Sequence, residues 1–112
     1  MKIYHNPRCR KSRETLQIIR EHDIEPDIIL YLEKPPSSDE LRELVNLLGI
    51  RPHELVRKSE AIYKENFKGR EMSDEEWIKA LSECPKLIER PIVVEGNKAV
   101  IGRPPENVST LL

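Results

Sequence analysis

An α/β fold, with a mixed four-stranded sheet and a helical insertion after the second strand, is what this sequence predicts. Three observations lead there. A strand–helix–strand pattern occupies residues 1–32, capped helical segments fill residues 36–86, and a hairpin with a two-residue loop leads into a short final helix. The 112 residues suit a single domain, with the insertion packed beside the sheet rather than folded apart. Leucine, isoleucine, valine and phenylalanine supply 31 of those residues, a share above the roughly 20% below which disorder is expected. Aromatic residues are only 4%, so the core will be aliphatic.

The opening strand, residues 1–4, is short and ends near His5, because Pro7 cannot continue a ladder and biases Asn6 to extended geometry. Residues 9–21 carry Leu16, Ile18 and Ile19 at helical spacing between charged residues, and Glu25-Pro26 ends that pattern. Residues 27–32 follow as a buried, β-branched strand, completing a right-handed parallel βαβ unit. Ser37 and Glu40 form a capping box ahead of Leu41, Leu44, Val45 and Leu48, with Gly49 at the C-cap. Pro52 opens a further helix through about Arg57, and Ser73 with Glu76 opens another that ends before Pro85. Residues 91–95 and 98–101 then flank Gly96-Asn97 as a hairpin, and Pro104-Pro105-Glu106 starts the last helix. The order β-α-β, helices, β-β-α is that of a thioredoxin-like fold.

Composition removes several functions. Charged residues reach 35% but balance to a net charge of −1, which gives no global attraction to nucleic acid or anionic membrane. No apolar run approaches a membrane span, and the opening residues lack the apolar stretch of a secretory signal, so a cytoplasmic location is expected. A monomer is expected separately, without a sequence feature that fixes it. Cys9 and Cys84 are too few and too far apart for a disulfide framework or a zinc site, and no bound metal is expected.

Cys9 sits where the first strand's loop meets a helix, beside free backbone N–H groups and the positive end of the helix dipole. Through residue 13 the chain carries Lys2, Arg8, Arg10, Lys11 and Arg13 and no acidic residue. Such surroundings lower a cysteine pKa from about 8.5 into the ~3.5–7.5 range. Ser12 and Arg13, three and four residues on, share a helix face with Cys9. A lone cysteine is more often an inert small hydrophobe, but position and basic excess together favour a reactive thiolate. Cys9-Arg10-Lys11-Ser12 lacks the second thiol of a C-x-x-C exchange motif. Glu14 stands where a low-molecular-weight phosphatase loop needs arginine.

The hairpin register adds a second observation. With Gly96-Asn97 as the loop, Val94 faces Ala99, Ile92 faces Ile101 and Arg90 faces Arg103. Like charges directly opposite cost roughly 0.2–1 kcal/mol, so the pair suggests an anion held between two planar, bidentate donors. Splaying into water, or pairing with Glu89 and Glu106, is the competing reading.

The residues from His5-Asn6-Pro7-Arg8-Cys9 through Ser12-Arg13 and Leu16 resemble the opening signature of the ArsC family of glutathione/glutaredoxin-dependent arsenate reductases. Residues 28–33, 55–58, 87–94 and 102–104 are similar to that family's later blocks, in order. The resemblance spans nearly the whole chain and implies a thioredoxin-like fold with a helical insertion. By position it implies that Cys9 is catalytic and that Arg57, Arg90 and Arg103 bind the oxyanion. It further implies that His5, Ser12 and Arg13 tune the thiolate and that Pro91 is the fold's cis-proline. Read without the resemblance, Arg57 is an ordinary exposed cation inside a helix. One departure is local: Arg10-Lys11 replaces the Gly-Thr of well-studied members, making the anion loop more crowded and more positive.

The activity so implied is reduction of arsenate through a Cys9 adduct, with glutathione as co-substrate, glutaredoxin as recycling partner and no bound cofactor. Cys84 allows a variant in which it resolves the adduct as an internal disulfide and thioredoxin is the reductant; burial as a small hydrophobe is the alternative for it. Two rival functions remain open at this point: a thiol transferase acting on glutathione adducts, and a non-enzymatic Spx-type regulator. Ser12 removes the C-x-x-C switch of the latter.

Overall fold

In the computed structural model, which describes residues 1–112, contacts divide the chain into two units, Met1–Lys34 with Arg90–Leu112, and Pro35–Glu89. The first unit holds the whole sheet. Strands β1 (Lys2–Tyr4), β2 (Asp27–Ile29), β3 (Ile92–Glu95) and β4 (Lys98–Ile101) lie in the order β2-β1-β3-β4. β1 runs parallel to β2 and antiparallel to β3, and β3 pairs antiparallel with β4. Together with α1 (Arg10–Glu21) between β1 and β2, this mixed order is the thioredoxin-like arrangement.

α1 buries Ser12, Thr15, Leu16 and Ile19, a stripe at helical spacing that faces the sheet. Its apolar members join Ile3, Val93 and Val108 in the core of the unit. The hairpin follows the expected register, Val94 opposite Ala99 and Ile92 opposite Ile101, around a Gly96 with φ of +58° that suits glycine. The closing helical stretch is 3₁₀ over Pro105–Leu111 rather than α-helical.

β2 departs from expectation. Residues 27–32 were expected to form a buried strand, yet only Asp27–Ile29 are extended; the N–H groups of Glu33 and Lys34 turn back to the Leu30 carbonyl. The strand is at the sheet edge and pairs only with β1, so its outward side chains meet solvent and Ile28 is 40% exposed. An apolar run signals a strand but not how many neighbours cover it.

The second unit, Pro35–Glu89, is the helical insertion. α2 (Ser38–Leu48) opens on the Ser37–Glu40 capping box and ends at Gly49 in the left-handed region. α4 (Asp74–Glu83) opens on the Ser73–Glu76 box and buries Trp77, Ile78 and Leu81. Between them, α3 (Ala61–Asn66) has no side-chain cap and was not expected; Tyr63 and Phe67 pack at 6.4 and 5.8 Å from the Trp77 ring, supplying the support its termini lack. The helix expected from Pro52 through Arg57 is a single 3₁₀ turn, Pro52–Leu55. Val56 then pairs with Ile88 in an isolated bridge, and Arg57 donates its N–H to the Leu87 carbonyl at 2.6 Å. Burial of Leu55 and Val56 in succession suits extended backbone better than one helix face. No helix is long and apolar enough to cross a membrane.

Within the first unit, α1 and the end of β4 approach very closely. A Cβ on Gly102 would stand 2.5 Å from Thr15 Oγ1 and 2.9 Å from Pro91 Cγ. Gly102→Ala is therefore expected to destabilise the protein by about 1–3 kcal/mol, the usual cost of overpacking, measured by urea unfolding.

Candidate active site

The loop after β1 is built by Asn6. Its side-chain oxygen accepts the Arg8 N–H at 3.0 Å, and its carbonyl accepts the Cys9 N–H at 3.0 Å. The turn delivers Cys9 as the N-cap of α1, with extended dihedrals of −93° and 121°. Arg13 braces the loop from the helix by donating to the Pro7 carbonyl at 2.9 Å. The chain is thus tied at three points around one half-buried sulfur.

The electrostatics at that sulfur run in opposite directions. Burial disfavours the anion and pushes the Cys9 pKa up. The Ser12 backbone N–H, the hydrogen bond and charge of the Arg90 guanidinium, and the Lys11 backbone N–H favour the anion, and together they leave the thiol below its ordinary value. None of the N–H groups makes a full capping bond to the side chain; they act as the open end of the helix, where partial positive charge collects. Arg103 adds a second guanidinium, with Nη1 3.9 Å from Cys9 Sγ and 3.2 Å from the Arg90 carbonyl.

The facing arginines of the hairpin are accounted for by this arrangement. Gly102 N–H donates to the Pro91 carbonyl at 2.9 Å, carrying the β3–β4 pairing one step beyond the strands toward Arg90 and Arg103. Both guanidinium groups then reach the same sulfur from adjacent strand ends. The Arg90–Pro91 peptide is cis, and so is Arg103–Pro104, which nothing in the sequence signalled.

His5 is 6% exposed and its Nδ1 lies 2.6 Å from Ser12 Oγ, which also accepts the Asn6 N–H at 3.1 Å. Burial lowers the His5 pKa, and the charges of Arg20 and Arg13 lower it further. The imidazole is accordingly neutral near pH 7 and acts as a hydrogen-bonding group rather than a cation beside the thiolate.

Cys9, His5, Ser12, Arg13, Arg90, Pro91 and Arg103 all belong to the first unit. Arg57 and Cys84 belong to the second. Arg57 Nε is buried without a hydrogen-bond partner, its nearest carboxylate being Glu60 at 3.6 Å. Cys84 is half-buried at the C-terminus of α4, its N–H donating to the Ala80 carbonyl at 2.8 Å. Three positions that shape the site were given no role of their own in the sequence: Asn6, Thr15 and Gly102. Apart from its place in the family-like opening signature, Asn6-Pro7 reads as punctuation. Thr15 is fully buried, with Oγ1 donating to the Lys11 carbonyl at 2.8 Å and lying 3.5 Å from the Gly102 carbonyl. Its only signal was one polar residue in the apolar stripe of α1.

Sheet order and sulfur environment together define a thioredoxin-like protein organised around one activated cysteine and two arginines. The chain belongs to the ArsC family, whose sequence model matches residues 4–111. It is 52% identical over 110 residues to YfgD, an uncharacterized protein of Escherichia coli K12, covering 96% of this chain and 92% of that one. It is 47% identical over 112 residues to an arsenate reductase of Haemophilus influenzae, covering 98% and 97%. The structure of an arsenate reductase from Vibrio cholerae superposes with a TM-score of 0.94 at 46% identity, covering 100% of this chain and 98% of that one.

Two measurements check these electrostatics. Arg90→Ala removes the side chain that most favours the anion, so the pH midpoint for Cys9 alkylation by iodoacetamide should rise. For His5 the unfolded chain titrates near 6.5 and the folded one lower, so below that pH the unfolded state takes up a proton that the folded state refuses. Stability should therefore fall as pH drops through about 6.5 and toward the lower folded value, and His5→Gln should show a shallower loss in thermal melts.

Proposed function

We propose that this protein reduces arsenate to arsenite through a covalent adduct on Cys9. The observation that carries the reading is the half-buried sulfur of Cys9, whose pKa is lowered beside the guanidinium groups of Arg90 and Arg103. Relatives named arsenate reductase at 37–47% identity over nearly the whole chain support the substrate.

The chemistry follows from charge. Arsenate and a thiolate repel each other in water, and the two arginines with the helix N–H groups offset both charges and orient the oxyanion for attack. Arg57 joins them on the strength of the family resemblance. Cys9 sulfur forms a bond to arsenic as one arsenate oxygen leaves, protonated, as water. Two further electrons are then needed to take As(V) to As(III), and thiols supply them by becoming a disulfide. Overall, arsenate and two thiols give arsenite, one disulfide and one water. Glutathione is the thiol in this reading, and glutaredoxin returns the mixed disulfide to the reduced state in the cytoplasm. His5 and Ser12 hold the loop that presents the thiolate, and Arg13 braces it.

Arsenate-dependent NADPH oxidation in the presence of glutathione, glutaredoxin and glutathione reductase tests the assignment. The parent protein should turn over and Cys9→Ser should lose all activity; no turnover by the parent would refute the reading. Mass spectrometry after one turnover identifies the thiol: a glutathione adduct on Cys9 supports it, whereas a Cys9–Cys84 bridge would replace glutathione with the internal thiol.

A further inference from the structure

A groove of about 280 Å³ runs beside the cysteine loop, between residues 5–8 on one side and Leu30, Leu32 and Glu33 on the other. Its floor and its rim differ in chemistry. Leu32 is among the few large apolar side chains left exposed, at 38%. Arg8 and Glu33 contribute opposite charges to the two walls, and neither takes part in an ion pair.

Several arginines elsewhere on the surface are instead neutralised pairwise. Arg10 pairs with Glu14, Arg20 with Glu25, Arg42 with Asp39 and Glu75, and Arg51 with Asp74. Arg8 also stands immediately before Cys9 in the chain, so the groove is lined by the same loop that carries the nucleophile, although Cys9 itself is not part of the lining. The shortened β2 makes the groove: residues 30–34 turn away from the sheet instead of extending the strand alongside β1.

We propose that this groove seats the thiol co-substrate, a small zwitterionic thiol peptide, with its ammonium on Glu33, a carboxylate on Arg8 and its aliphatic stem on Leu30 and Leu32. The assignment rests on the reading of glutathione as the thiol in the proposed function. Charge complementarity selects this occupant over an uncharged thiol, which finds no use for either wall. It also separates the two ligands of the reaction. The oxyanion is held by Arg90 and Arg103 on the β3 and β4 side, and the thiol approaches from the β2 side.

S-methylglutathione, which cannot react, is the binding probe. Added to the labelled full-length protein, it should shift the amide resonances of His5, Arg8, Leu32 and Glu33. In turnover, Arg8→Ala and Glu33→Ala should each lower kcat/KM for glutathione relative to mercaptoethanol by about two- to five-fold, the range expected of an exposed charge contact. Unshifted groove resonances, or an unchanged ratio between the two thiols, would overturn the groove. Groove shifts in a protein that never turns over arsenate would uphold the groove and sink the arsenate reading instead.

Discussion

The site depends on favouring negative charge on a sulfur that is half withdrawn from water. Burial alone would raise the Cys9 pKa, and each unit of such a rise corresponds to about 1.4 kcal/mol. What reverses the balance is a set of donors that the fold supplies without dedicated side-chain engineering: backbone N–H groups of Lys11 and Ser12, which every helix start leaves unpaired. One guanidinium, Arg90, completes the reversal through both hydrogen bonding and charge. Were Cys9 one turn further into α1, the N–H groups around it would be bonded within the helix and would no longer oppose the burial penalty.

The second requirement is that two mutually repelling arginines sit side by side. The hairpin enforces this by register, since Gly96-Asn97 fixes every pair back to Pro91 and Gly102. Repulsion is relieved by giving both groups the same partner, and by the Arg90 carbonyl, which accepts from Arg103. The close approach of Thr15 to Gly102 adds to the core packing of Leu16 and Ile19 against Val93 in holding the hairpin end against α1. A side chain at residue 102 would wedge apart the two halves of the same site.

Much of this was legible because it is written in local patterns. Capping boxes at Ser37 and Ser73, the hairpin loop and the basic segment around Cys9 each act within a few residues, where spacing determines geometry. What escaped detection depends on neighbours that are distant in sequence. β2 looked buried because Ile28, Ile29 and Leu30 are apolar, but its exposure follows from lying at a sheet edge. Arg57 looked helical because Pro52 opens a turn, yet the bridge from Val56 to Ile88 ends that turn after Leu55. α3 is held by the ring of Trp77, fourteen residues beyond Tyr63, and has no capping side chain of its own. Thr15 and Gly102 are ordinary residues until the fold brings them together across a sequence separation of 87.

A single thiol at the N-terminus of α1 also sets the direction in which any electrons must come. With Ser12 in the place of a second cysteine, the loop cannot close its own disulfide, and each two-electron step must draw a thiol from elsewhere. On the proposed reading, that makes access to the sulfur as important as its charge. A site fully sealed for oxyanion binding would protect its adduct from the reductant. The half-buried state of Cys9 is a compromise between those demands: enough enclosure for the arginines and amides to act strongly on the sulfur, and enough opening for a second molecule to reach it. The early termination of β2 after Ile29 leaves open the space beside residues 5–8, next to the loop that carries Cys9, which a longer strand along β1 would fill.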